Sequence, residues 1–189
     1  SMLWFNWEYN IKILHIYKSS KLENLNGLEE LKNLKELKLA YNTKLSNIEE
    51  INGSYIEKLH IEKCKNFTDF SVLGSNNQLK EIFITELDSL QFIGEMKNLE
   101  KIHFWVCKDG DLNPLMKAPS LKMALITSNK KHYTHTQAQI DNYLKLKSWQ
   151  IEPVIITRDY FSWSKLRQFN QLGQLYRIWG SESSLSTNY

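Results

Sequence analysis

The chain has 189 residues, 42% of them apolar and 24% charged, with a formal net charge of +3. That balance belongs to an ordinary globular protein rather than a disordered or membrane one. No apolar run approaches the ~20 residues a membrane helix needs, and eight Lys and Arg against four Asp and Glu in residues 130–189, without a clustered run, fall short of a nucleic-acid footprint.

The opening residues alternate: Leu3, Phe5, Trp7 and Tyr9 interleave with Met2, Trp4, Asn6 and Glu8 at the period of a strand. Residues 1–10 are predicted to form an amino-terminal cap strand over the first apolar layer. An aromatic binding patch around Trp4 and Trp7 is the alternative use of the same residues. The stretch lacks the basic start, apolar core and small-residue cleavage site of an export signal, so a cytoplasmic location is expected.

Residues 11–129 repeat. Segments of the form apolar-x-x-apolar-x-apolar open at Ile11, Leu34, Ile56, Leu79, Leu99 and Leu121, spaced by 23, 22, 23, 20 and 22 residues. Units of this length hold one short strand and a return, cannot bury their own apolar face, and must therefore stack. In register, Ile11/Leu14/Ile16, Leu34/Leu37/Leu39, Ile56/Leu59/Ile61, Leu79/Ile82/Ile84, Leu99/Ile102/Phe104 and Leu121/Ala124/Ile126 point inward. The returns carry apolar residues three apart, such as Leu45, Ile48 and Ile51, or Phe67, Phe70 and Leu73, a spacing that suits short 3-10 or α-helical turns.

Beyond residue 129 the short period lapses. Thr136-Gln-Ala-Gln139 has the form of a capping box and predicts a helix to Lys147 with Ile140, Tyr143 and Leu144 on one face. Residues 151–157 read as a strand, and Trp163, Leu166, Phe169, Leu172 and Tyr176 recur at helical spacing. Residues 130–189 are therefore predicted to form a carboxy-terminal α/β cap within the same compact domain, and the expected fold class is α/β.

The repeat, clearest in Leu34-Lys-Glu-Leu37-Lys-Leu39-Ala-Tyr-Asn42-Thr-Lys-Leu45-Ser-Asn-Ile48, resembles the internalin-like class of 22-residue leucine-rich repeats across residues 11–129. The resemblance implies a solenoid with a parallel sheet on its concave side, short helical returns on its convex side, and binding on the concave face. It also implies that the ninth position of each unit, here Ser19, Asn42, Cys64, Leu87, Cys107 and Asn129, lines the bend as a ladder. Cys64 and Cys107 would then lie two rungs, roughly 10 Å, apart, too far for a disulfide. They are expected to be buried free thiols, as in a reducing compartment.

Residues between the inward positions form columns across the concave face. One reads His15, Lys38, His60, Phe83, His103, Leu125; a second reads Tyr17, Ala40, Glu62, Thr85, Trp105, Thr127; Tyr41 lies in a flanking column. Aromatic groups among both signs of charge resemble the anchors and rim of a protein-binding surface, with an exposed Phe83 beside Trp105 as its centre. The plainer reading of the same residues is a solvated sheet. Alternate-rung histidines stand too far apart to share one zinc ion, so no metal is expected. Cofactors and catalytic residues are also not expected: the chain has no phosphate loop, nucleophile elbow or His-Glu-x-x-His.

The function expected from this reading is a non-catalytic, monomeric protein-protein interaction module that binds another protein, with an immunity or inhibitor role in a bacterial cytoplasm as one form. The competing expectation is a secreted or injected host-interaction protein. Enzyme activity housed in residues 130–189 is the outlying one.

Overall fold

The structure, a computed structural model, describes residues 10–148. The predicted cap strand, the patch around Trp4 and Trp7, and the elements read beyond residue 150 lie outside the described residues. Six strands, β1 (Ile13–Tyr17), β2 (Glu36–Ala40), β3 (Lys58–Glu62), β4 (Glu81–Leu87), β5 (Lys101–Cys107) and β6 (Met123–Ile126), form one sheet in chain order. Every pairing is parallel, and the register aligns Leu37 with Leu59, Ile82, Ile102 and Ala124, as the repeat requires. The chain is α/β, with an arrangement compatible with a solenoid.

The returns turn as 3-10 helices at Leu28–Glu30, Glu49–Gly53, Ser71–Ser75 and Gln91–Glu95, and as a short helix, α1 (Asn113–Lys117), after β5. One local device opens the last four of these five. The side chains of Asn47, Asp69, Ser89 and Asp111 each accept the backbone N–H two residues on, at Glu49, Ser71, Gln91 and Asn113. Such Asx and Ser turns divert the chain out of extended structure. Pro114, near the start of α1, has no N–H to leave unsatisfied.

Between sheet and turns lies the core. Leu34, Leu37, Leu39, Ile84 and Phe104 from the sheet side meet Ile48, Ile51, Leu73, Ile93 and Met96 from the turn side, all fully buried. Each such side chain contributes about 1.5–3 kcal/mol relative to exposure. Ile11, Leu14 and Ile16, on and next to β1, are only half-buried.

The bend ladder is kept in part. Asn42 is fully buried, accepts the Ser19 N–H at 2.9 Å and donates to the Ile16 carbonyl at 3.0 Å, so one amide bonds the preceding coil twice. The Cys64 thiol donates to the Leu39 carbonyl, Leu87 is fully buried without a polar role, and Cys107 closes the run. Both cysteines are free and buried. Asn129 is exposed, so the sixth rung departs from the expected ladder. Chain reversal there is handled by other contacts: the Cys107 N–H donates to the Tyr133 hydroxyl and the Thr134 N–H to the Gly110 carbonyl. Gly110 has φ +72°, and a Cβ there would stand 2.4 Å from the His132 ring.

A second helix, α2 (Gln137–Ser148), opens on the predicted capping box: Thr136 N–H donates to Gln139 Oε1 and Gln139 N–H to Thr136 Oγ1. Ile140 and Leu144 are buried, whereas Tyr143 is 41% exposed and lies off the predicted apolar face. Gln137 reaches back to the sheet edge. Its Oε1 accepts the Ile126 N–H at 2.9 Å and its Nε2 donates to the Ala124 carbonyl at 2.7 Å, bracketing Leu125 as a residue of a further parallel strand would.

Candidate functional site

The face of the sheet turned away from the 3-10 turns carries the predicted columns. His15, Lys38, His60, Phe83, His103 and Leu125 are direct partners on successive strands, and Tyr17, Ala40 and Glu62 pair beside them. At its centre the column is an aromatic stack. His60 lies over Phe83 with ring centroids 4.1 Å apart and planes 22° from parallel, and His103 meets the other side edge-on at 4.8 Å. Trp105 approaches Phe83 edge-on at 6.2 Å.

Two predicted site residues are placed otherwise. Phe83 is half-buried, with one imidazole stacked on its ring and a second packed perpendicular to it, and the exposed apolar groups of this surface are Tyr17 and Leu125, with Ile13 and Met123 beside them. Thr85 is buried at 8% exposure and its Oγ1 accepts the Lys63 N–H at 2.9 Å. In β4 both Ile84 and Thr85 are buried, so the strict alternation that puts position 85 on the open face fails there. The remaining site residues stand on the open face.

Around the stack the charges are paired in rows. Glu57 takes Lys80 at 2.8 Å and Lys35 at 2.9 Å, and these hydrogen-bonded ammonium groups pull its pKa to about 2. Glu81 takes Lys101 at 3.0 Å and Lys58 at 3.4 Å, which holds its carboxyl below the ordinary range. His15 and His60 face Glu36 and Glu62 at 3.8 and 3.6 Å. Burial lowers the pKa of His60, against a smaller opposing pull from Glu62, and lowers that of His103, whose Nε2 lies 2.7 Å from Thr127 Oγ1. Glu36, Lys38, His60, Phe83, His103 and Leu125 are among the walls of a shallow depression of about 360 Å³.

At the carboxy ends of the first three strands, the flanking column that the sequence reading placed at Lys18, Tyr41, Lys63 and Glu86 has a backbone feature the sequence did not show. Lys18, Tyr41 and Lys63 occupy the same repeat position, one before the ladder residue, and all three have left-handed backbones, with φ of 53°, 58° and 50°. Non-glycine residues rarely adopt this conformation. The side chains interleave: Lys18 Nζ lies 5.0 Å from the Tyr17 ring centre and 5.8 Å from that of Tyr41, and Lys63 Nζ lies 5.1 Å from Tyr41 and 5.8 Å from Trp105. Lys63 also donates to the Tyr41 hydroxyl at 3.0 Å. In β4 and β5 the equivalent residues, Glu86 and Val106, remain in the strand. The column followed from the repeat register; for the bends, the sequence carried only the recurrence of a long polar residue just before Ser19, Asn42 and Cys64.

The face offers stacking surfaces, hydrogen-bonding imidazoles and ammonium groups. Cys107, the nearest thiol in sequence to His103, is buried and donates to Asp109 Oδ1 at 3.1 Å; burial and that carboxylate push its pKa up to about 12. Among the described residues no group of three or more His, Cys, Asp or Glu is arranged to hold a metal ion, and no helix is long and apolar enough to cross a membrane. No protein-family model matches the chain, and no curated protein matches it in sequence.

Proposed function

We propose that residues 11–129 are a leucine-rich-repeat solenoid similar to the internalin-like class, and that the chain is a non-catalytic module gripping another protein on the open, concave face of its sheet. The observation that carries this reading is the lateral register of His60, Phe83 and His103, which gathers aromatic groups from separate coils into one patch rimmed by charge. Aromatic centres with polar rims are the usual composition of protein-binding hot spots. Two reduced, buried cysteines support a reducing compartment such as the cytoplasm. There the module acts by covering its partner, as an immunity or inhibitor protein does.

The test is site-specific photocrosslinking in cells of the source organism. A photoreactive residue at Lys38, Leu125 or Tyr17 is expected to trap one and the same protein, whereas one at Glu49 or Lys97, on the turn side, traps none. Crosslinks confined to the turn side would refute the reading.

A further inference from the structure

The lysines of the sheet face fall into two groups. Lys35, Lys58, Lys80, Lys101 and Lys108 all hold a carboxylate within 4.0 Å. Lys18, Lys38 and Lys63 hold none among the described residues. Glu36 and Glu62, beside them in the columns, turn instead to His15 and His60, and Glu86, which follows Lys63 in the row, turns to Lys108. Two ammonium groups, those of Lys18 and Lys63, thus stand along the ends of β1 to β3 with no described carboxylate within 4.0 Å and each beside a tyrosine ring, while Lys38 stands mid-strand in β2.

We propose that this row is a carboxylate-binding rail, and that its occupant is an acidic segment of a partner protein laid across Lys18, Tyr41 and Lys63. The inference rests on the protein-binding reading above and names the chemistry of the partner. Charge complementarity selects the acidic side chains. The ring within the row, Tyr41, selects against the other polyanion with the same charge. A single-stranded nucleic acid needs open aromatic faces for its bases, and Tyr41 has Lys18 and Lys63 ammonium groups within 6 Å of its ring centre. A lysine held near an aromatic ring keeps its charge while its motion is restricted, which lowers the entropic cost of receiving a carboxylate. Bends at fixed left-handed backbones hold the three residues at one height on adjacent coils.

The probe is a synthetic peptide of alternating Asp and Leu, compared with the same peptide carrying Asn at each Asp, and with oligothymidylate. Binding is followed by backbone amide NMR shifts of the full chain at low and high salt. Lys18→Asn and Lys63→Asn remove the charges while keeping a residue type that tolerates positive φ, so the fold is retained; Lys97→Asn is the control. The Asp peptide is expected to shift the amides of residues 18, 41 and 63, to bind roughly tenfold more weakly in the double variant, and to weaken with salt. Equal binding of the Asn peptide, tighter binding of oligothymidylate, or no loss in the double variant would overturn the proposal. Either result, with photocrosslinks still confined to the open face, leaves the protein-binding reading standing. Crosslinks moving to the turn side while the Asp peptide still binds would sink that reading alone.

Discussion

Asn42 shows what one side chain does in a stacked repeat. Its amide ties both a donor and an acceptor of the preceding coil, and no water competes at a fully buried position. Replacement by alanine strands a backbone N–H and a carbonyl, and urea unfolding followed by circular dichroism is expected to show a loss of about 2–3 kcal/mol. Asn42→Cys is expected to cost less, since thiols occupy the equivalent rung at residues 64 and 107. Those thiols make their own prediction: at pH 8 iodoacetamide should leave Cys107 unmodified in the folded protein and alkylate it in urea, by mass spectrometry. The histidines give a pH signature. Burial holds His60 and His103 below their ordinary 6.5, so the unfolded chain binds more protons between the two values. Their contribution to stability is complete above pH 6.5 and is lost as pH falls through the folded values. Glu57, held at about 2 against an ordinary 4.5, adds a separate loss at lower pH. Acid titration of stability is expected to fall in two stages, and the His60→Gln, His103→Gln double variant to flatten only the upper one; an unaltered upper stage would clear both rings of the effect.

The strands and returns show where the sequence was sufficient. Their register was legible because six apolar triplets keep both period and offset, and burial admits only one alignment of such triplets. The capping box at Thr136 was legible for the same reason, two residue types at a fixed spacing. Thr85 was misplaced because a local need overrode alternation: β3 ends at Glu62, the chain turns left-handed at Lys63, and the freed N–H draws the Thr85 hydroxyl inward. The openness of Phe83 was overestimated because column logic gives a residue's neighbours without giving their rotamers, and two imidazoles pack against the ring. Gln137 was invisible for a third reason. Its partners, Ala124 and Ile126, follow from the path of residues 127–136, which the repeat does not encode. Removing this amide by Gln137→Ala is expected to speed hydrogen exchange at the Ile126 N–H and to cost about 1–2 kcal/mol; unchanged exchange would show that another group protects that edge.

Taken whole, the described unit is a stack in which each strand and turn packs chiefly on those of the next coil. Stability in such a stack travels through neighbours rather than through one common centre. Phe70, fully buried against Phe67 at 4.8 Å and Phe92 at 6.2 Å, joins two consecutive returns. Phe70→Ala is expected to cost roughly 3–5 kcal/mol, with exchange mass spectrometry showing the greatest loss of protection around residues 58–95 and the least in β1. Uniform loss along the stack would instead mean that the unit unfolds as a single block. The row at the strand ends is likewise not uniform along the stack. It begins with Lys18, Tyr41 and Lys63 at sharp bends and continues as Glu86 and Val106 in straight chain. One half is cationic and the other anionic or greasy, so under the proposed reading a guest with its own head and tail would fit in a single sense, and the row would read which way a ligand points as well as what it is made of.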